Sequence, residues 1–310
     1  MNAVAGRPAA ERPGAADATG GDGGPPALEV DRVSASYGPY RALFAVTFAV
    51  PRGGITALIG SNGAGKSTVA RVVSGLLACS QGTIRLNGDD VTGLPAFKIA
   101  RAGAAHVPEG RGVFANLTVE ENLKLAFRQR GGRRGVADSL AQAYRAFPVL
   151  GSRRKQHGGT LSGGEQRILS LAKVLIVPPS LLVADEISLG LAPVMIDAVY
   201  DGLRQINSAG TALLIVEQQV DRVLDLAQTA VVLEHGSVAY GGSTDGALAA
   251  VERILASRGD RVAADALLGQ DQAGGGSDHA PRQPRQWRLG RNGRSADRRH
   301  EDAPEREEHS

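Results

Sequence analysis

The chain has 310 residues, of which 42% are hydrophobic and only 4% aromatic, so its length allows one or two domains with a largely aliphatic core. The formal net charge of +3 does not by itself indicate binding to nucleic acid. Cys79 is the only cysteine, which excludes an intrachain disulfide and suits a reducing compartment, and no apolar run approaches the roughly 20 residues that span a bilayer.

Strands and helices alternate in the first part of the chain. We predict strands at 28–33 and 42–50, and a short apolar strand at 55–59 that leads into a glycine-rich loop. A helix is predicted at 67–77 and a further β segment at 83–86. This strand–loop–helix order is the context that a phosphate-binding loop requires.

The second part becomes helical and then alternates again. A capping box at 118–121 opens a helical stretch over 117–147, which a polar break interrupts at 131–135. The remaining predicted elements are a helix at 162–176, a strand at 181–184, a helix at 192–206, a strand at 212–216 and a hairpin of 229–233 and 237–240. Together these elements predict a single α/β domain over 27–258.

The two ends differ in composition from this domain. Residues 1–26 are rich in Ala, Gly and Pro and lack the apolar core of a signal peptide, whereas 259–310 carry many arginines before an acidic finish. Because both segments offer little apolar surface to offset the entropy of ordering, we predict a disordered leader and a largely disordered tail. The alternative for the tail is a weak contact with anionic lipid, helped by Trp287.

The glycine-rich loop carries the first chemical motif. Residues 60–67 read Gly-Ser-Asn-Gly-Ala-Gly-Lys-Ser and match G-x-x-x-x-G-K-[ST]. Glycines let the backbone wrap around phosphates, and the start of the following helix adds positive potential. We expect Lys66 to bridge the β- and γ-phosphates of a nucleoside triphosphate and Ser67 to bind Mg²⁺. The predicted nucleotide contacts are Gly60, Ser61, Asn62, Gly63, Ala64, Gly65, Lys66, Ser67 and Thr68.

An apolar run ends in two carboxylates, Asp185 and Glu186. A buried carboxylate is costly on its own, and a bound Mg²⁺ would explain Asp185. Because successive side chains of a strand alternate, we expect Glu186 to face the γ-phosphate and to position or activate water. The alternative, a strand that merely ends in acidic loop residues, is disfavoured by the phosphate-binding loop.

A third motif lies between the other two. Residues 161–165 read Leu-Ser-Gly-Gly-Glu and start a helix. The N–H groups there can bind phosphate, and Ser162 can cap the helix. An ordinary N-cap is the alternative, but the chain length from Ser162 to Asp185 fits one helix and a turn. The candidate contacts are Ser162, Gly163, Gly164 and Glu165.

The three motifs together resemble an ATP-binding-cassette (ABC) ATPase, whose signature usually has Gln where this chain has Glu165. The resemblance implies a P-loop core with an antiparallel β subdomain and a helical signature subdomain at about 115–177. It places Tyr37 where the family stacks an aromatic ring on adenine. Glu109 stands where the family usually has the Q-loop glutamine, which contacts the nucleotide and the metal. Gln218 stands where the family usually has the switch histidine.

A narrower resemblance covers roughly residues 28–245. Several segments together are similar to the second ATP-binding subunit of high-affinity branched-chain amino-acid importers: 37–38, 106–111, 117–122, 189–193 and 216–218. Two positions depart from that branch, because Ile187 stands where proline is expected and Gln219 where Asn is common. We expect these changes to tune turnover, since both carboxylates remain.

The resemblance also implies partners. ATP, with Mg²⁺, would lie between the P-loop of one subunit and Ser162–Glu165 of another, and the second subunit would be a related ATPase, or else an identical chain. Two membrane permeases, contacted near 109–114, and an extracytoplasmic solute-binding protein would complete an importer of leucine, isoleucine and valine. This subunit would lie on the cytoplasmic face of the plasma membrane and bind no nucleic acid. Glu186 and Lys66 would be catalytic, and Gln218 would sense and position, because an amide cannot carry a proton as histidine can.

Three alternatives stay open. Urea or short-amide importers have closely similar ATPases. A regulatory module that binds ATP and hardly hydrolyses it is suggested by Glu109, Glu165 and Gln218, and is opposed by Asp185 and Glu186. A soluble cassette motor on nucleic acid or ribosomes usually has two cassettes or long coiled-coil insertions, and this chain has neither.

Overall fold

The computed structural model describes residues 24–109, 112–131, 135–175 and 178–258. The predictions for 1–23 and 259–310 therefore lie outside the described residues, as does most of the predicted break at 131–135. The domain limits stay predictions.

The described part of the chain contains both strands and helices, with runs of strands at its start and a run of helices in its middle. Its strands are β1 (Leu28–Tyr37), β2 (Tyr40–Val50), β3 (Ile55–Ile59), β4 (Gln81–Leu86), β5 (Asp89–Asp90), β6 (Ala104–Val107), β7 (Leu181–Asp185), β8 (Ala212–Glu217), β9 (Thr229–Glu234) and β10 (Ser237–Ser243). Its helices are α1 (Lys66–Val73), α2 (Ala96–Arg101), α3 (Val119–Gly131), α4 (Val136–Ala146), α5 (Pro148–Ser152), α6 (Gly163–Leu175), α7 (Pro193–Ser208), α8 (Val220–Leu224) and α9 (Thr244–Arg258). The predicted α/β class is confirmed.

The first sheet is antiparallel and has the order β2–β1–β4–β5. The alternation of buried and exposed side chains that is usual in a strand is interrupted in β2. Leu43 and Val46 are both buried although three positions separate them, and Ala45 between them has φ 51°. A β-bulge of this kind inserts an extra residue and moves the inward face by one position.

The second sheet forms the central layer, with the order β10–β9–β3–β8–β7–β6, and β3, β6, β7, β8 and β9 run parallel. β3, β7 and β8 are buried along their whole length, as expected for parallel strands covered on both faces. Side chains of one face pack with α6 and α7, and those of the other face pack with α1. The carboxyl ends of β3, β7 and β8 therefore lie side by side.

The helices α3–α6 occupy most of the predicted signature subdomain, and Leu123, Phe127 and Leu150 pack into their shared core. The helix predicted at 67–77 ends earlier, at Val73, because Gly75 just beyond its C-cap has φ 69°, a left-handed conformation that ends helices. Within the described ranges, no helix combines the length and apolarity needed to cross a membrane.

Candidate functional site

The carboxyl ends of three parallel strands meet around one cavity. β3 leads into the loop 60–65, β7 ends at Asp185, and Gln218 follows β8. The cavity has a volume of about 670 Å³, which is within the usual range for small-molecule sites. The predicted site residues on its wall are Asn62, Gly63, Gly65, Lys66, Ser67, Thr68, Glu109, Glu186 and Gln218.

The loop that follows β3 has the close-packed geometry of a phosphate-binding loop. Gly65 is the N-cap of α1 and has φ 105°, and a Cβ there would lie 2.9 Å from Leu43 Cδ2. A Cβ at Gly60 would meet the Leu233 carbonyl oxygen at 2.5 Å. Glycine is therefore required at both places, and α1 begins at Lys66, directly after Gly65 and on the wall of the cavity.

Lys66 lies at the centre of the polar contacts in the cavity. Its side chain is only 3% exposed, and Nζ lies 3.4 Å from Glu186 Oε1. Nζ also donates a hydrogen bond to the Ser61 carbonyl oxygen at 3.3 Å. Gln218 Nε2 donates to the same Glu186 oxygen at 3.1 Å. The residues predicted to bind phosphate, activate water and sense the nucleotide thus contact one another directly.

Glu186 reaches the cavity by a different route from strand alternation. β7 ends at Asp185, and Glu186 adopts the left-handed region with φ 46°. Its backbone N–H donates to the Val216 carbonyl oxygen at 2.8 Å. A non-glycine residue in this region stores strain and is found mostly where the surrounding structure holds it in place. A turn, and not the pleat of a strand, therefore aims the carboxylate.

Asp185 lies behind the cavity wall and is 4% exposed. Its Oδ1 has no hydrogen-bond partner within the part of the chain that the structure describes. Burial, followed by the negative charges of Glu186 and Glu109, raises the pKa of Asp185 to about 6, and a hydrogen bond with Ser67 opposes that rise. An unsatisfied carboxylate oxygen beside a hydroxyl suits Mg²⁺, which prefers hard oxygen ligands.

The protein alone does not form a closed metal cage at this point. Among the described residues, no group of three or more His, Cys, Asp or Glu side chains could hold a metal ion. Glu109 is exposed on the cavity wall. A magnesium ion here would therefore depend on phosphate oxygens and water in addition to protein ligands, which is usual for this ion.

The third motif forms a capping box at the start of α6. Ser162 N donates to Glu165 Oε2 at 2.9 Å, and Glu165 N donates to Ser162 Oγ at 3.3 Å. Glu165 Oε1 also lies 2.7 Å from Arg153 Nε. The glutamate therefore has a local structural role, because it completes the cap and forms an ion pair. None of Ser162, Gly163, Gly164 and Glu165 is among the described residues that line the cavity of this chain.

Tyr37 is also absent from the described cavity wall, and its Oη accepts a hydrogen bond from Arg71 Nη1 at 3.2 Å. Its stacking on adenine stays a prediction. Phe44 lies on the wall instead, 43% exposed, and the Arg41 guanidinium lies 5.0 Å from the centre of its ring. Sequence reasoning missed this pair because neither residue belongs to a motif. The other wall residues that it missed are Ala42, Leu189, His235 and Gly236.

Comparisons with known proteins agree with this geometry. The sequence model of a family described as "ABC transporter" matches residues 43–188. The chain is 41% identical over 213 residues to the high-affinity branched-chain amino acid transport ATP-binding protein BraG of Pseudomonas aeruginosa, an alignment that covers 68% of this chain and 90% of that protein. It is 36% identical to the probable branched-chain amino acid transport ATP-binding protein LivF of Archaeoglobus fulgidus, with coverage of 70% and 92%.

The fold also matches a solved structure. The structure of an ATP-binding subunit of an ABC transporter superposes with a TM-score of 0.64 at 28% identity, and the alignment covers 78% of this chain and 99% of that one. The sequence relatives and this solved structure thus point to the same kind of protein. The chain therefore belongs to the ABC transporter family, as an ATP-binding subunit with ATPase activity.

Proposed function

We propose that this ATPase drives the uptake of branched-chain amino acids, leucine, isoleucine and valine, as a subunit of an importer. The observation that carries the proposal is the 41% identity to BraG across 90% of that protein, since its name assigns it to high-affinity branched-chain amino acid transport. LivF, at 36% identity, is named for the same kind of transport. Relatives named for the export of lipopolysaccharide and of Nod factor are 29% to 34% identical.

In this proposal the loop 60–68 binds the triphosphate of ATP, and Lys66 neutralises its β- and γ-phosphates. Glu186 positions and activates the attacking water. Gln218 holds the Glu186 carboxylate and orients it. Mg²⁺ would be held by Ser67, Asp185 and Glu109, and when bound it neutralises negative charge on the phosphates.

The site would be completed by other chains. The segment of a second, related ATPase subunit that corresponds to Ser162–Glu165 would close over the γ-phosphate, and Tyr37 of this chain would contact the adenine ring. An identical second chain is the alternative. Two membrane permeases and an extracytoplasmic solute-binding protein would carry the amino acid, and this subunit would act at the cytoplasmic face of the plasma membrane. Phe114, which is 57% exposed, is the proposed permease contact.

Uptake of labelled leucine in cells that lack the gene tests the proposal. The cells are complemented with the wild type, with Glu186→Gln, or with Glu29→Gln as a matched control, since Glu29 forms a half-exposed ion pair with Arg85. Rescue by the wild type and the control, without rescue by Glu186→Gln, supports both the substrate class and the catalytic role.

Two other outcomes would contradict parts of the proposal. Rescue by Glu186→Gln would remove the catalytic assignment and favour a regulatory ATP-binding subunit. A deletion that leaves leucine uptake intact but abolishes the uptake of labelled urea, measured in parallel, would move the chain to urea or short-amide import.

A further inference from the structure

The turn that follows β7 is strained and carries the proposed catalytic carboxylate. Glu186 has φ 46°, and Gly190 at the other end of the turn has φ 72°. In the described backbone, one hydrogen bond joins residues 186 and 189 of this turn. It is the weak bond that Leu189 N donates to the Glu186 carbonyl oxygen at 3.4 Å. Such a turn keeps one conformation only if groups outside it hold it.

Arg167, on α6, holds the turn from one side. Its Nη1 donates to the Glu186 carbonyl oxygen at 2.8 Å, and its Nη2 donates to the Leu189 carbonyl oxygen at 3.1 Å. Burial lowers the pKa of Arg167, as expected for a guanidinium that has given up solvent. The planar guanidinium spans the two carbonyl groups with one rigid fork, which an ammonium group does not provide.

Glu217, the last residue of β8, holds the turn from the other side. It is 2% exposed, and its Oε1 accepts a hydrogen bond from Ser188 N at 3.0 Å. Burial raises the pKa of Glu217, and the hydrogen bonds from Ser188 oppose that rise. The turn is thus held by the Arg167 guanidinium, which donates to two of its carbonyl groups, and by the Glu217 carboxylate, which accepts from the Ser188 N–H.

We propose that Arg167 and Glu217 are positioning residues for ATP hydrolysis, which clamp the 186–189 turn and so fix the direction of the Glu186 carboxylate. Neither residue lies on the described wall of the nucleotide cavity, and the hydrogen bonds of both side chains described above go to the backbone of the turn. The inference rests on the proposed catalytic role of Glu186.

Steady-state ATP hydrolysis by the transporter complex, purified through a tag on the full-length chain, tests the clamp. Arg167→Met keeps an unbranched apolar stem and removes the guanidinium donors, and Glu217→Met removes the acceptor. Each variant is expected to lower kcat by about 10- to 100-fold, because small misplacements of a reacting group have effects of this size. The affinity for ATP is expected to stay within about twofold of the wild-type value, since the contacts that bind ATP before the reaction are not changed.

Conservative variants and a matched control separate positioning from a general structural role. Arg167→Lys can reach only one carbonyl group and should give an intermediate kcat, and Glu217→Gln keeps an acceptor oxygen and should stay near wild type. Arg204→Met is the control, since Arg204 forms an exposed ion pair with Asp201. The Arg204 and Asp201 side chains are 53% and 66% exposed, respectively. Hydrogen exchange at 186–191 should become faster in Arg167→Met and unchanged in Arg204→Met.

A double variant tests whether Arg167 acts through Glu186. If it does, Arg167→Met lowers turnover no further when Glu186→Gln is already present. Wild-type kcat and hydrogen exchange in both Arg167→Met and Arg167→Lys, or full additivity with Glu186→Gln, would overturn the clamp. If Glu186→Gln alone hydrolyses ATP at the wild-type rate, the proposed catalytic role fails, and that result is distinguishable from failure of the clamp.

Discussion

The substitution Asp185→Asn should make the fold more stable while it removes the proposed magnesium ligand. Burial and two neighbouring carboxylates raise the pKa of Asp185 from 3.8 to about 6. Each pH unit by which a pKa is raised costs the ionised form about 1.4 kcal/mol, so ionised Asp185 destabilises the folded state by about 3 kcal/mol at neutral pH. Asparagine has nearly the same shape and carries no charge to desolvate.

The sign of the pH dependence follows from proton linkage. Between pH 4 and pH 6 the folded state keeps the Asp185 proton, whereas the unfolded chain has lost it, so the stability of the wild type falls as pH rises. Above pH 6 the destabilisation is complete. The advantage of Asp185→Asn should therefore be largest at pH 7–8 and should vanish near pH 4.

Thermal unfolding in the presence of a chelator measures this effect. A gain of about 3 kcal/mol corresponds to a rise in Tm of about 6 to 12 °C for a domain of this size. Asp201→Asn is the matched control, because the Asp201 side chain is 66% exposed and its charge is already solvated. If Asp185→Asn unfolds at the wild-type Tm at pH 8, the carboxylate is not destabilising and the magnesium argument loses its physical basis.

Two further substitutions test the geometry of the site. Gly65→Ala introduces a Cβ at φ 105° and 2.9 Å from Leu43, so it should destabilise the fold by more than about 1 kcal/mol, as measured by urea unfolding. It should also weaken ATP binding, as measured by titration with a fluorescent ATP analogue. An affinity equal to that of the wild type would contradict the close-packed geometry of the loop. Glu165→Ala removes a capping box and an ion pair and should cost about 1 kcal/mol, whereas Glu165→Gln, which can still cap, should cost less. Equal urea midpoints for these two variants would contradict the structural role of the carboxylate.

The arrangement of strands around the site was easier to predict from the sequence than the local geometry. The parallel strands β3, β7 and β8 were recognisable as apolar runs, and each is followed by a polar motif, so their convergence could be expected from the topology alone. The left-handed turn at Glu186 could not, because nothing in its side chain requires φ 46°. The clamp by Arg167 and Glu217 depends on contacts across 19 and 29 residues of chain, which no local pattern reveals.

Some departures from the family pattern gain a physical explanation from the structure. Glu165 caps its helix and pairs with Arg153, so its carboxylate neutralises a charge that a glutamine could not. Ile187, where proline was expected, is fully buried in the core, so it contributes apolar packing in place of a fixed φ. The short helices α2 and α8 were missed because five or six residues are too few to show a helical period.

The Lys66 ammonium group is paired with the Glu186 carboxylate, and a phosphate group is the second anion that it could bind. Both side chains are almost entirely buried, so each would be left with an uncompensated charge if the other were withdrawn. In the proposed function, a phosphate that approaches Lys66 would supply a replacement anion, and the Glu186 carboxylate would keep only its hydrogen bond from Gln218. Binding of the phosphate and release of the proposed base from Lys66 would then be one event, and a ligand that does not contact Lys66 would leave Glu186 paired.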